Sequence, residues 1–274
     1  MDADQIAREL KAASDFMQAV GLQGPEGQTD GRRTKKLDEV AGFIEHILKA
    51  LDVTFSEVER PVILECSCGK SYLCFALNYM LRAKLGQEAE FLGVDFNPRL
   101  IERCREIAGR LAFDNMSFTA CRSLSFEPDR RVDLLLALHA CDTATDEAIA
   151  LAIRLGCRRV MAVPCCQNQI RGQLKGGHPL TGLTDFGPLL YRFSNLLTDG
   201  LRAQFLWGAG YAVEFQEITS PRVTPKNLMI SGRRVKRRVA PRFENYVRLR
   251  DMFGVHPRIE DFSPVTLVKD PGRE

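Results

Sequence analysis

An acid and three small residues, Glu65, Ser67, Gly69 and Ser71, occupy alternate positions in the stretch Pro61-Val62-Ile63-Leu64-Glu65-Cys66-Ser67-Cys68-Gly69-Lys70-Ser71. Small residues at that spacing, after an apolar run and before a helical pattern, let a backbone come close to a nucleotide-like ligand. The next apolar run, Phe91-Leu92-Gly93-Val94, ends in Asp95, the kind of acid that accepts hydrogen bonds from ribose hydroxyls. Glu65, Ser67, Gly69, Lys70, Asp95 and Asn97 are therefore the expected core of a cofactor site. Two competing motifs fit less well. A phosphate-binding P-loop ending in Gly69-Lys70-Ser71 needs Gly at position 64, which is Leu, so the nest of amides that cradles phosphate is missing. A dinucleotide fingerprint needs Gly where this chain has Ser67. One Gly among three small residues also suits an ordinary strand-to-helix turn, and it is the strand–acid–helix context that favours a ligand.

Two further groups carry chemistry. His139, Cys141 and Asp142 follow one apolar run, and Cys165 and Cys166 follow another. His139 or Asp142 suits a general base for a hydroxyl or a protonated nitrogen. A packing or capping histidine is the alternative for His139. Cys141, Cys165 or Cys166 suits a thiol nucleophile only if its pKa is depressed. Buried packing is the default for free Cys, so no metal is expected. Nine Cys, an odd number, sit mostly in apolar segments, which leads to the expectation of reduced thiols and a cytoplasmic protein.

The elements that must position these groups follow from periodicity. Helices are expected over 3–20, 34–51, 71–85, 98–112, 144–155 and 188–208. Strands are expected over 62–66, 91–95, 117–121, 132–138, 159–163, 211–218 and 227–235. Strand 132–138 is almost wholly apolar, as burial on both faces requires. Asn97-Pro98 supplies one helix with a cap and a first-turn proline. Alternating strands and helices predict a parallel doubly wound sheet, and the last two strands, with no helix between them, an antiparallel edge hairpin. The expected fold is therefore α/β, a Rossmann-like sheet of about seven strands with N-terminal helices added. Its expected divisions are an N-terminal helical cap over 1–52, a nucleotide-type domain over 53–240 and an irregular extension over 241–274.

At 274 residues the chain has room for one large α/β domain with additions. No apolar run approaches the roughly 18 residues that span a bilayer, and Asp2 and Asp4 make the start unlike a signal peptide, so no membrane is expected. The formal charge of +3 is unevenly spread. Residues 222–250 hold ten Lys/Arg against Glu244 alone, an excess of nine, and the rest of the chain carries a net −6. Such asymmetry suits a polyanion, with Arg233, Arg234, Lys236, Arg237 and Arg238 as its expected contacts, or else a solvated basic edge.

A parallel sheet finished by an antiparallel pair is the usual design of class I S-adenosylmethionine (SAM)-dependent methyltransferases. The stretches Glu65 to Leu73, His139-Ala140-Cys141-Asp142-Thr143-Ala144-Thr145-Asp146, Val163-Pro164-Cys165-Cys166-Gln167 and Thr224-Pro225-Lys226-Asn227 sharpen that likeness. Over residues 35–235 the chain resembles a methyltransferase-domain family of bacterial SAM-dependent methyltransferases, eukaryotic tRNA ribose 2′-O-methyltransferases and glutathione S-transferase C-terminal-domain-containing proteins. Family members usually have Gly at the positions of Ser67 and Asp142. The resemblance implies SAM as cofactor, Cys121 and Arg122 beside the adenine, and His139 within reach of cofactor and acceptor. His139, Asp142, Cys165 and Cys166 are then the candidate catalytic residues, and RNA, tRNA or rRNA, the implied substrate. Two alternatives stand beside it: an RNA-binding module of the same fold without activity, and a methyltransferase of the 5-methylcytosine type with a Cys nucleophile.

Overall fold

The computed structural model describes residues 1–24, 27–28, 30–174, 176–235 and 241–265. Three helices open the chain: α1 (Ala3–Ala12), α2 (Ser14–Val20) and α3 (Gly31–Phe55). The expected single helix over 3–20 is broken, because Ala13 leaves helical geometry at φ −92° and ψ 67°. The break lets α1 pack on α3 while α2 reaches the fifth helix. Helix α3 starts earlier than its apolar stripe suggests, since the Asp30 side chain accepts a hydrogen bond from Arg33 N at 2.8 Å.

Strand β1 (Val62–Cys66) leads into α4 (Tyr72–Met80), which loosens into a π turn over Leu81–Leu85. Then come β2 (Glu90–Asp95), α5 (Pro98–Arg110), β3 (Met116–Ala120), β4 (Leu134–Leu138), α6 (Thr143–Leu155) and β5 (Arg159–Val163). Asn97 caps α5 through Arg99 N and Leu100 N, with Pro98 in the first turn. Gly156, left-handed at φ 63°, ends α6. The polar loop after β5 holds two short helices the sequence pattern misses, α7 (Asn168–Arg171) and α8 (Thr181–Thr184). The long α9 (Gly187–Gly208) precedes β6 (Tyr211–Glu217) and β7 (Leu228–Arg234).

The seven strands form one sheet in the order β3-β2-β1-β4-β5-β7-β6. Strands β1 to β5 are parallel, and β7 runs antiparallel to both β5 and β6. Period-two alternation sorts the side chains. Ile63 faces a core shared with α1 to α5, while Val62 and Leu64 face one built by α6, α9 and later helices. The N-terminal helices thus belong to the core of one sheet face. A Cβ on Gly42 of α3 would fall 1.7 Å from the Ile218 carbonyl oxygen, so only glycine allows this helix so near the end of β6.

The expected irregular stretch after 240 contains α10 (Pro241–Phe253) and α11 (Ile259–Phe262). Proline suits the first turn of a helix, so the four prolines of this region did not exclude one. Helix α10 packs on α9 and buries Tyr246 completely. Among the described residues, no helix is long and apolar enough to cross a membrane.

Candidate active site

Ligands of open α/β sheets sit at the carboxyl ends of the strands, where neighbouring connections diverge to opposite faces. Here β1 and β4 are neighbours, and the turn after β1 is held in a strained shape. Ser67, Gly69 and Ser71 have φ of 52°, 55° and 50°. For the two serines that backbone costs free energy, which specific bonds offset. Gly69 N donates to Asp95 Oδ2 at 2.9 Å, and Asn97 N donates to Asp95 Oδ1 at 2.9 Å. Below the turn, the Ser71 hydroxyl donates to Glu65 Oε2.

Glu65 is therefore a brace under the turn, 4% exposed, and not a surface contact of the cleft. Burial raises its pKa to about 7, against hydrogen bonds from Ser71 and Cys74 that lower it. The folded pKa lies above the ordinary value of 4.5, so this group contributes most to stability when protonated and works against folding as pH rises toward about 7. At 1.36 kcal/mol per pH unit the full cost is about 3 kcal/mol above neutrality. Glu65→Gln is expected to be more stable than the parent chain at pH 8 and to differ little at pH 4.5. Urea unfolding at both pH values reads this, and parallel profiles for the two proteins would refute it.

In front of the turn lies a cleft of about 370 Å³, lined by Ser67, Asp95, Phe96, Cys121, Arg122, Ser123, Cys141, Thr143, Ala144 and Glu147. The structure thus brings together Ser67, Asp95, Cys121 and Arg122, all expected at the cofactor. A Cβ on Gly69 would meet no atom within 4 Å, so space stays open before the backbone. Phe96 is 77% exposed and offers an aromatic face beside the acid. Arg122 pairs across the cleft with the buried Glu147. An acid with two remaining lone-pair positions, a bare backbone and an exposed ring suit a ribose, an amino-acid chain and an adenine. The donor set fits SAM. Lys70 instead lies over the Tyr72 ring at 5.8 Å, and the Asn97 side chain serves as the α5 cap.

At the end of β4 the chain is strained again, with His139 at φ 59° and Asp142 at φ 53°. His139 Nε2 lies 3.0 Å from Glu39 Oε2 on α3, 100 residues away in sequence. Burial raises the Glu39 pKa, but hydrogen bonds from His139 and Lys36 outweigh it and hold the acid at about 2. An ionised carboxylate only accepts, so Nε2 carries the proton toward Glu39, and Nδ1 is the ring nitrogen left to take up another. Asp142 Oδ1 accepts from Gln169 N at 3.1 Å, which turns that carboxylate toward the α7 loop.

Arg202 of α9, 1% exposed, ties this corner together. It donates to Asp142 O at 2.7 Å, to Asp146 Oδ1 at 2.8 Å and to Asp199 Oδ1 at 3.1 Å. Asp199 in turn accepts from Gln167 Nε2 at 3.2 Å, so one buried guanidinium links the loops after β4 and β5. Beyond Gln167 a second cleft of about 350 Å³ has apolar walls in Pro164, Leu196, Phe215 and Leu228 and a cation in Lys226. Lys226 Nζ stands 4.7 Å from the Tyr191 ring centroid, which brings the Thr224-Pro225-Lys226-Asn227 motif to the active edge.

The cysteines separate. Cys66 and Cys68 are buried in opposite faces of the sheet, and burial pushes the Cys66 thiol up. Cys141, Cys165 and Cys166 gather at the ends of β4 and β5. Burial first, and then Cys141 and Cys166, push the Cys165 thiol well up, which works against an isolated thiolate nucleophile there.

The expected basic contacts lie elsewhere. Arg233 and Arg234 fall within β7, and Arg233 pairs directly with Arg159 at the amino end of β5. With Arg131 and Arg158 they line a cleft of about 630 Å³ at the sheet end opposite the Asp95 cleft. Lys236, Arg237 and Arg238 lie outside the described residues. Sequence reasoning missed Glu39, Phe96, Glu147 and Arg202. Only Phe96, an apolar residue directly after a strand-ending acid, carried a local signal.

Comparison of the sequence with curated proteins returns no match. Among solved structures, magnesium protoporphyrin IX methyltransferase from Synechocystis PCC 6803 with bound SAH is similar at 14% identity and a TM-score of 0.50. That match covers 82% of this chain and 98% of the other. An rRNA methylase from Streptococcus thermophilus follows at 6% identity and a TM-score of 0.42, covering 65% of this chain and 89% of that one. The first of these likenesses is one of fold. The sequence itself goes further, because a methyltransferase-domain model matches residues 35–173, from α3 through both strained turns to the loop after β5, half of the whole: the chain belongs to the methyltransferase-domain family.

Proposed function

We propose that the chain is a SAM-dependent methyltransferase that modifies RNA, tRNA or rRNA, at a hydroxyl or a nitrogen, in line with its resemblance to tRNA ribose 2′-O-methyltransferases. The observation that carries the SAM reading is the turn at 67–71 locked to Asp95 in front of an open cleft. SAM supplies a sulfonium-bound methyl group that an incoming nucleophile displaces in line. The chain's own residues have three tasks. Asp95 accepts the ribose hydroxyls, and the bare backbone at Gly69 leaves room for the amino-acid chain. The apolar walls of the second cleft hold a flat acceptor and exclude water, which strengthens every electrostatic contact within. His139 Nδ1 takes the acceptor's proton while Glu39 fixes the ring. Positioning and electrostatics supply the rest.

Calorimetry on the folded chain tests the donor: SAM and its demethylated product should each bind at one site. Asp95→Ala removes a carboxylate acceptor whose hydrogen bonds contribute about 1.5–3 kcal/mol, so affinity should fall by about 10- to 100-fold. Absence of binding to a folded sample overturns the SAM reading.

RNA as acceptor is supported by Arg131, Arg158, Arg159, Arg233 and Arg234 around one cleft. Burial and the facing Arg233 lower the Arg159 pKa, against Glu214 and Glu57, which raise it, while Arg158 is paired with Glu57 and Asp133. RNA affinity should fall with salt by a log–log slope of about −0.7 per phosphate contact, and Arg233→Ala with Arg234→Ala should flatten that slope. Salt-independent binding refutes phosphate contacts at this cleft. The apolar acceptor cleft favours a second reading, a small ring-bearing acceptor free of RNA. Labelled SAM incubated with RNA and small-molecule pools separates the two by where the label appears, and RNA binding without label in any pool leaves a non-catalytic module.

A further inference from the structure

Three thiols converge where β4 and β5 end. Cys141 Sγ is 3.0 Å from Cys165 Sγ, which is 3.6 Å from Cys166 Sγ. All three sulfurs lie within 4.8 Å of one another. Sulfurs around a tetrahedral zinc, at Zn–S of about 2.3 Å, stand roughly 3.8 Å apart, so small side-chain rotations would suffice to enclose an ion. The backbone is built to hold Cys141 in this place. It lies between two non-glycine residues of positive φ, His139 at 59° and Asp142 at 53°, a conformation that costs about 1–3 kcal/mol each and persists only where the surroundings impose it. The surroundings are the Arg202 bond to Asp142 O and the Gln169 bond to Asp142 Oδ1. Cys141 is exposed and the other two are half-buried, so an ion has a way in.

We propose that Cys141, Cys165 and Cys166 bind one zinc ion as thiolates, with the fourth position left for water or an acceptor atom. Three protein ligands and one open position is the pattern of zinc sites that act on substrates, in contrast to closed four-ligand structural sites. The position suits that role. Cys141 lines the Asp95 cleft, while Pro164 and Gln167, on either side of Cys165 and Cys166, line the second cleft. A zinc ion here stands where the two clefts meet and polarises an oxygen, nitrogen or sulfur brought to it. Binding forms three Zn–S bonds, releases the three thiol protons to solvent and leaves the oxidation state of zinc unchanged. A divalent cation is the partner that stabilises three thiolates at once. The site rests on the thiol geometry and does not depend on the methyl-donor reading.

Zinc content and cobalt spectroscopy test it on the full chain, purified under reductant without chelator. The expected result is one zinc per chain after dialysis. Cobalt(II) substitution should give a thiolate-to-metal charge-transfer band with the d–d bands of a tetrahedral centre. Cys141→Ser and Cys165→Ser should each lose the band and weaken zinc binding by more than the roughly 10- to 100-fold of an outer-shell change. Cys121→Ser, outside the cluster, should keep the band, and Asp95→Ala should keep it while binding SAM more weakly. Zinc should raise the melting temperature of the parent chain and not that of Cys141→Ser, whose exposed position makes it the variant least prone to misfold. A reduced, folded chain that retains no zinc and gives cobalt no charge-transfer band overturns the site. So does a band that survives in Cys165→Ser. A Cys141–Cys165 disulfide that forms in air and, once reduced, still leaves the chain without zinc also overturns it.

Discussion

Arg202→Leu is expected to lower the stability of the chain by about 3–5 kcal/mol, enough to leave much of it unfolded. The guanidinium is 1% exposed, and two of its partners, Asp146 and Asp199, are carboxylates buried with it. Burial works against the charge on Arg202, and Asp146 and Asp199 outweigh it, holding the group more firmly protonated than usual. Burial likewise pushes the Asp199 carboxyl up, against Arg202 and Gln167, which hold it down. Remove the cation and two buried carboxyls lose their main counter-charge in the space between α6 and α9. Leucine keeps the apolar stem of the side chain, so most of the loss is electrostatic. Arg202→Lys should rescue little. An ammonium reaches one carboxylate as a point charge and cannot keep the fork that spans Asp146, Asp199 and the Asp142 carbonyl. Combining Arg202→Leu with Asp146→Asn and Asp199→Asn should recover part of the loss. Urea unfolding of the four proteins decides, and a single variant within about 1 kcal/mol of the parent would refute the network as a stabilising centre.

The same network marks the limit of what the sequence reveals. Local signals were enough for the sheet. Buried runs such as Leu134–Leu138 have no reading other than a central strand, and the absence of a helix between β6 and β7 foretold the antiparallel pair. Local signals also located Ser67, Gly69 and Asp95, since one strand end and the next must meet at the same edge. What escaped was made by long-range contact. Glu39 reads as a polar position on an amphipathic helix until α3 lies across the sheet and meets His139. Arg202 reads as a solvated charge on α9 until α6 covers it. Glu65 was read as a ligand contact because it stands near the end of a strand, whereas it is buried and its carboxylate accepts from Ser71 under the turn. For the basic run, a charge count carries no direction, and it is the antiparallel sense of β7 that sends Arg233 and Arg234 to the sheet end away from Asp95. The prolines after 240 suggested irregular chain and instead allowed α10 to begin.

With an acceptor in hand, His139→Ala is expected to lower kcat by about 10²- to 10⁴-fold while KM and SAM affinity stay near those of the parent. The ring stands at the carboxyl end of β4 and hydrogen-bonds through Nε2 to a carboxylate held at about pKa 2. That bond assigns the free lone pair to Nδ1, and the whole expected effect depends on this assignment. Glu39→Gln tests it apart from the base itself. The glutamine amide can donate to Nε2, which moves the ring proton to Nδ1 and removes the acceptor without removing the ring. Its kcat should fall toward that of His139→Ala, with little change in SAM affinity. The double variant should then be no slower than His139→Ala alone, because both changes abolish one function. If Glu39→Gln stays near the parent while His139→Ala is slow, the histidine acts through another atom. If both are within about twofold of the parent, where a base contributes at least about 10², His139 only packs against α3 and proton removal belongs to another group. Asp142 would be the next candidate, with its carboxylate bound at one oxygen by Gln169 N and the other oxygen left to accept.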